Sequence, residues 1–208
     1  LHFILGPGVG GGTAGGSQNA LLSGVLDDYI DREPPVIVAG SLRFCRDENV
    51  EMGCPHPFPT DDRQRPIIWG DVDASIRAQD FYTLPTGWGG GGRTGLYQLG
   101  YRVARSGVVV LDNTDAVVFD VNPNAGFIDL VYPHAPGAGP IEYWVTNQKP
   151  SGSLSASDSS WRTKSICLVC PDAEENKDAF YPDGVYWITV CVRDVNPSNE
   201  VCFEQEVV

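Results

Sequence analysis

The six cysteines are the side chains of this sequence with the most reactive chemistry, because thiolates bind metals and paired thiols form disulfides. In Cys167-Leu168-Val169-Cys170, two thiolates have the spacing that grips one zinc ion, and Cys45 and Cys54 are available as a second pair. The alternative is that these four cysteines form two disulfides, for example Cys45–Cys54 across a proline-rich loop. An even number of cysteines favours a disulfide framework in an oxidising compartment. We therefore predict disulfides, with the pairing of these four left open.

The C-terminal sequence predicts one disulfide from strand register. Two alternating, β-branched runs flank the loop Asp194–Asn199. Pairing Arg193 with Glu200 across this loop puts Cys191 directly opposite Cys202. Directly opposed strand residues lie within the Cα separation that a disulfide requires. We predict a Cys191–Cys202 disulfide.

Carboxylate and amide side chains cluster at three predicted turns, where they are candidate ligands for calcium. Calcium takes six to eight oxygen ligands, and the extracellular ion fills weak sites that stiffen strand ends. The alternative is that these side chains form solvated Asx turns on an acidic surface. The central cluster predicts a calcium site at Asp112, Asp115 and Asp120. The three clusters are Asp71 and Asp73; Asp112, Asn113, Asp115 and Asp120; and Asp194, Asn196, Asn199 and Glu200.

Catalytic motifs are missing from the sequence. It has no Gly-x-Ser-x-Gly elbow, no His-Glu-x-x-His and no Gly-x-x-x-x-Gly-Lys loop. The available general bases include only three histidines, of which His2 lies near the start of the chain and His56 and His134 flank prolines. We expect a protein that is not an enzyme, with a secreted hydrolase built on two distant carboxylates as an alternative.

The glycine-rich segment Gly87–Gly95 contains Trp88 and resembles a phosphate-binding loop only in its glycines. A phosphate cradle needs a preceding strand, a following helix and usually a lysine. An exposed Trp88 would instead stack on a sugar face or enter the groove of a neighbour, and a buried Trp88 would anchor its own loop. A glycan-binding module using Trp88, Trp144 or Trp161 is therefore the leading alternative function.

Charge and composition exclude several classes of protein. The chain has 208 residues and a net charge of −13, so its long-range field repels phosphate backbones and anionic membrane surfaces. No apolar run approaches the roughly 18 residues that would span a bilayer. The absence of an initiator Met is what we expect if a secretory leader has been removed. We predict no nucleic-acid binding, no membrane insertion, and an extracellular or cell-surface location.

The elements that position these residues are predicted to be strands. Gly 24 and Pro 16 indicate many turns, and no convincing helix of ten or more residues follows Pro35. We predict an all-β domain over 36–208, an antiparallel β-sandwich. A serine-rich stretch near 148–160 would divide it if there are two modules. Apolar runs bounded by turn residues predict strands at 35–39, 107–111, 115–121, 126–132 and 141–145 and over the last twenty-odd residues.

The run Gly184–Asp194 carries a glycine, a tyrosine two residues later, alternating aliphatic residues and an aspartate at the turn. In these features it resembles the last strands of bacterial extracellular immunoglobulin-like domains. The resemblance covers ten to twenty-five residues. It implies an immunoglobulin-like β-sandwich of the kind that commonly serves adhesion or spacing. It names no ligand.

Residues 1–35 form an N-terminal arm of different composition. Leu1, Phe3 and Leu5 alternate with His2 and Ile4, and a glycine tract that contains Val9 follows up to Gly16. An apolar strand on a flexible tether can complete the sheet of another subunit. We therefore predict a structural subunit of an extracellular fibre or surface assembly, a homopolymer joined through Leu1, Phe3, Ile4, Leu5 and Val9. The alternatives are an arm that packs on its own domain or is disordered.

A short helix is also predicted in the arm, beginning near Asn19 and ending before Pro34-Pro35.

Overall fold

A computed structural model describes residues 4–5, 18–19, 32–46, 57–69, 71–82, 92–119, 132–133, 139–148, 162–163, 166–167 and 183–208. Its regular elements are all β-strands, and no helix occurs among the described residues. The strands are β1 (Ile4–Leu5), β2 (Gln18–Asn19), β3 (Val36–Ile37), β4 (Arg43–Arg46), β5 (Asp71–Tyr82), β6 (Gly92–Thr94), β7 (Gln98–Arg105), β8 (Val108–Val118), β9 (Ile141–Trp144), β10 (Asn147–Gln148), β11 (Arg162–Thr163), β12 (Ile166–Cys167), β13 (Tyr186–Arg193) and β14 (Glu200–Val207).

The larger sheet is six-stranded and is built around β5, which pairs antiparallel with β3, β4, β6, β9 and β12. Ser75 pairs with Arg43 of β4 and with Trp144 of β9, so these two strands lie on opposite sides of β5. The sequence of β5 alternates small apolar residues with polar ones, as a strand requires. It was not among the strands predicted from sequence.

The smaller sheet has four strands in the order β14–β13–β7–β8, all antiparallel. Arg193 pairs with Glu200 and Cys191 with Cys202, so the predicted hairpin register is confirmed. Cys191 and Cys202 form a disulfide with a Cα–Cα distance of 4.0 Å, as predicted.

The loop of this hairpin is closed by Asp194, which is buried. Its Oδ1 accepts a hydrogen bond from the backbone N–H of Asn196 at 2.6 Å, and its Oδ2 accepts one from Asn199 Nδ2 at 2.7 Å. Asn196 repeats the arrangement by accepting from the backbone N–H of Ser198 at 3.1 Å. These are Asx turns, the alternative that the sequence offered to a calcium site here.

Strand β8 differs from the prediction. The sequence predicted two strands, 107–111 and 115–121, separated by a turn, whereas β8 is continuous over Val108–Val118. Its pairing with β7 is interrupted twice by bulges, between Leu99 and Tyr101 and between Val103 and Ala104. Of the polar residues that suggested a turn, Asp112 and Asn113 pair in register with β7, and Asp115 falls in the first bulge.

Both sheets contribute to one hydrophobic core. The first contributes alternate residues of β5, such as Val72 and Ile76, and the second contributes residues such as Val103, Ile188 and Val190. Two antiparallel sheets that share a core are consistent with the predicted β-sandwich.

Residues on both sides of 148–160 belong to the same sheets, since β12 pairs with β5 and β13 pairs with β7. The predicted strand 126–132 lies almost wholly outside the described residues, as does the short helix after Asn19.

Candidate assembly and binding surfaces

The apolar tip of the N-terminal arm has a backbone partner within the arm. Ile4 pairs with Asn19 and Leu5 with Gln18, which makes β1 and β2 a two-stranded antiparallel sheet. Among the described strands, this small sheet joins neither of the two large ones. Leu1, Phe3 and Val9, the other predicted assembly residues, lie outside the described residues. The pairing of a two-stranded sheet is by itself marginally stable.

The end of β8 is an exposed apolar edge that the sequence prediction did not identify. Val108 is 64% exposed, Val109 46% and Val110 40%. Val103 pairs with Leu111 and Ala104 with Val109, so Val110 is the extra residue of the second bulge. An unbulged strand would expose alternate side chains, whereas here three consecutive valines are exposed. We call Val108–Val110 the valine edge.

The outer face of the four-stranded sheet carries an exposed tryptophan, Trp187, next to polar side chains. Trp187 is 39% exposed and lies directly opposite Glu206 of β14 and Ala104 of β7. Arg65 binds Glu206 Oε1 through Nη1 at 2.8 Å. One position along the same face, Thr189 Oγ1 donates to Glu204 Oε2 at 3.1 Å.

The Asp61–Arg65 ion pair adds two more charged side chains next to Glu206. Arg65 Nη2 lies 2.7 Å from Asp61 Oδ2. Partial desolvation raises the pKa of Asp61, but hydrogen bonds from Arg65 and Arg63 outweigh it and hold the pKa below its usual range. Asp61 is therefore a firmly ionised carboxylate.

The tryptophans predicted to bind glycans are placed differently from one another. Trp144 is 2% exposed, so it belongs to the interior and cannot stack on a sugar. Trp88 and Trp161 lie outside the described residues. The exposed tryptophans of the described part are Trp187 and Trp69, and Trp69 packs edge-on against Phe58 at 4.9 Å between ring centroids.

Cys45, one of the four cysteines whose pairing the sequence left open, is disulfide-bonded. A sulfur in a disulfide is not a thiolate, so Cys45 does not hold a zinc ion. Cys54 and Cys170 lie outside the described residues, and Cys167 is described only as part of β12. Cys191 and Cys202 lie close to Glu200, but both sulfurs are committed to their own disulfide.

The predicted calcium ligands Asp112 and Asp115 lie on strand β8 rather than in a turn. Asp112 Oδ2 accepts a hydrogen bond from Arg102 Nε at 3.2 Å and lies 3.1 Å from Arg102 Nη2, on an exposed part of the sheet. Within the described residues, the carboxylates of the three predicted clusters do not converge as a group of three. The calcium hypothesis depends on Asp120, which lies outside the described residues, and it stays a prediction.

The buried Asp73 and the partly buried Glu142 have structural partners. Asp73 Oδ1 accepts from Thr146 Oγ1 at 3.0 Å, and Thr146 Oγ1 also accepts from the backbone N–H of Ala74 at 3.3 Å. Glu142 Oε1 accepts from Ser75 Oγ at 2.7 Å. These contacts tie β5 to β9 and the residues that follow it, so they stabilise the larger sheet.

A cluster of three rings closes one part of the core. Tyr143 lies 5.4 Å from Tyr132 and 5.9 Å from Phe119 between ring centroids. Burial raises the pKa of Tyr132 to about 12. Burial raises the pKa of Tyr143 still further, and its hydroxyl accepts a hydrogen bond from the Leu96 N–H at 3.3 Å. Both phenols are neutral packing groups at ordinary pH.

Comparison of the chain with protein-family models, with curated proteins and with solved structures gives no match. The immunoglobulin-like resemblance of Gly184–Asp194 therefore stays a prediction. Within the described residues, no helix has the length and apolarity needed to cross a membrane.

Proposed function

We propose that this protein is a structural subunit of an extracellular or cell-surface assembly, a homopolymer in which the N-terminal arm of each copy adds a strand to the next. The observation that carries the proposal is the two-residue pairing of Ile4–Leu5 with Gln18–Asn19 of the same arm. A two-residue pairing contributes little stability, so little of it is lost when such a strand joins a longer sheet. Head-to-tail donation of this kind gives an open polymer.

An immunoglobulin-like sandwich suits this function because it is a rigid spacer. The cross-strand disulfide Cys191–Cys202 fits an oxidising, extracellular setting. The net charge of −13 keeps separate copies apart until a specific contact is made.

Electron microscopy of the purified full chain tests the proposal. We expect filaments from the wild type, and none after deletion of 1–16. Leu5→Asp, which places a charge in the donated strand, is expected to block assembly in the same way. The matched control is Thr13→Ala, which changes the tether and not the strand. Intact assembly of the deletion variant would defeat the proposal.

A glycan-binding module is the second candidate, and the exposure of Trp187 favours it. Its indole is flanked by Glu206, and Thr189 and Glu204 lie one position further along the same sheet face. An aromatic ring beside hydrogen-bonding groups can stack on a sugar and bind its hydroxyls. The small Ala104 beside Trp187 leaves the ring accessible from one side.

An oligosaccharide array followed by intrinsic fluorescence titration tests this second candidate. We expect Trp187→Ala to abolish any binding that the array detects. Trp69→Ala is the matched control, because Trp69 is exposed to a similar extent but lies outside strand β13. Absence of any hit at millimolar affinity would count against glycan binding.

A further inference from the structure

We infer that the valine edge of β8 is the site at which the donated strand of a second copy docks, with Leu1–Leu5 of that copy as the occupant. The inference rests on the proposed assembly function and adds the acceptor site to it. β8 is the last strand of its sheet, and within the described part of the chain no strand hydrogen-bonds to its outer side.

The exposed side chains make this part of β8 an adhesive edge. Val108, Val109 and Val110 are followed by Leu111, so the run is β-branched or aliphatic and contains no charge and no proline. Proteins usually protect such an edge with lysine, proline or a covering segment, because an unprotected edge pairs with other strands. The bulge at Val110 increases the exposed apolar surface here.

Charge selects β8 over the opposite edge of the same sheet. β14, at the other edge, presents Glu200, Glu204 and Glu206 on one face. Copies that each carry a net charge of −13 repel one another, and a contact at β14 would add these carboxylates to that repulsion. At the valine edge the nearest strand instead carries Arg105, which pairs with Val108. An approaching acidic copy therefore meets fewer carboxylates at the valine edge than at β14, because Asp112 and Asp115 of β8 lie beyond Leu111.

The donor segment matches the acceptor in length and chemistry. Leu1–Leu5 has four aliphatic or aromatic residues and no carboxylate. Its length is that of Gly107–Leu111, the acceptor run with its preceding glycine. A glycine-rich tether of the length of Gly6–Gly16 has a root-mean-square reach of about 18 Å as a free chain.

Val109→Lys in the full chain tests the acceptor. A lysine at the centre of the edge has to be desolvated on docking, and we expect association to weaken tenfold or more. Val36→Lys is the matched control, because Val36 is 45% exposed and Val109 is 46% exposed, and both substitutions change the net charge equally. Thermal melting checks that each variant folds. Val108→Lys, at a site 64% exposed, replaces Val109→Lys if the latter does not fold.

Mixing two inactive variants gives the sharper measurement. The variant that lacks 1–16 keeps the acceptor edge, and Val109→Lys keeps the donor strand. We expect neither to polymerise alone and the two together to form a 1:1 complex by native mass spectrometry, since only one contact remains possible. Val36→Lys is expected to polymerise as the wild type does.

Two outcomes separate the acceptor site from the proposed function. If the deletion blocks polymerisation and Val109→Lys polymerises as Val36→Lys does, the acceptor is not β8, although strand donation stands. If the deletion variant still polymerises, or the wild type never does, the proposed function fails and this inference fails with it. Failure of the two inactive variants to form a 1:1 complex also overturns the acceptor assignment.

Discussion

Gly100 permits the first bulge of β8, and its replacement by alanine should destabilise the whole sheet. A Cβ at Gly100 would lie 2.3 Å from the carbonyl oxygen of Thr114 and 2.6 Å from its Cα. These are backbone atoms, so no side-chain rotation relieves the clash. Gly100 also pairs with Cys191 of β13, which restricts movement of β7 on its other side.

The expected cost of Gly100→Ala follows from this geometry. Inserting a methyl group where only backbone can yield costs about 1–3 kcal/mol of the free energy of unfolding. For a chain of this size, a loss of about 2 kcal/mol lowers the melting temperature by roughly 4–8 °C. Urea denaturation followed by tryptophan fluorescence measures the change as a lower midpoint with an unchanged slope.

Gly139→Ala is the matched control for this experiment. A Cβ at Gly139 would meet no atom within 4 Å, and its φ lies outside the left-handed region. We expect its free energy of unfolding to stay within about 0.5 kcal/mol of the wild type. If Gly100→Ala unfolds at the same urea concentration as Gly139→Ala, the account of the bulge is refuted.

Three further predictions concern stability. Replacing Cys191 and Cys202 together by alanine should lower the free energy of unfolding by about 3 kcal/mol, as closure of a loop with a sequence separation of 11 implies, measured by urea denaturation. Asp194→Ala should cost about 1–3 kcal/mol, because Asn199 Nδ2 loses its acceptor in a buried loop; an unchanged urea midpoint would contradict this. The raised pKa of Tyr132 contributes stability that is complete below pH 10 and is lost as the pH rises towards 12; Tyr132→Phe should weaken that loss in a pH series of urea midpoints.

The C-terminal hairpin could be predicted residue by residue because two independent constraints agree. Alternation fixes which side chains of the strand point inward, and a cysteine on each strand fixes the register between them. The structure has Arg193 opposite Glu200 and Cys191 opposite Cys202, as both constraints require. No other pair of strands offered two such signals.

Strand β5 was missed although its alternation is regular. Its apolar positions are occupied partly by alanines, and its other positions by Asp73, Ser75 and Arg77, all residues of low or neutral strand preference. Asp73 and Ser75 are buried, and each is hydrogen-bonded to a residue that is distant in sequence, Thr146 and Glu142 respectively. Local pattern does not contain that information.

The exposure of the valine edge could not be predicted from the sequence. The run was predicted as a strand, but three consecutive valines are also typical of a strand that is covered on both faces. A bulge and an edge position expose them instead, and neither is encoded in the run itself. The turn residues Ser106 and Gly107 both have positive φ. They were the available sign in the sequence that a hairpin turn joins β7 to β8 at this point.

The central position of β5 also determines the order in which the protein can fold. Its partners come from β3, β4, β6, β9 and β12, so closing the larger sheet requires contacts between residues far apart in the chain. Contacts of that kind form slowly, whereas the β13–β14 hairpin closes over a short loop. We expect the β13–β14 hairpin to form early. β5 is expected to stay unpaired and exposed until its partner strands reach it. During synthesis this long strand emerges well before β9 and β12, so its unpaired backbone is available for premature association in the meantime.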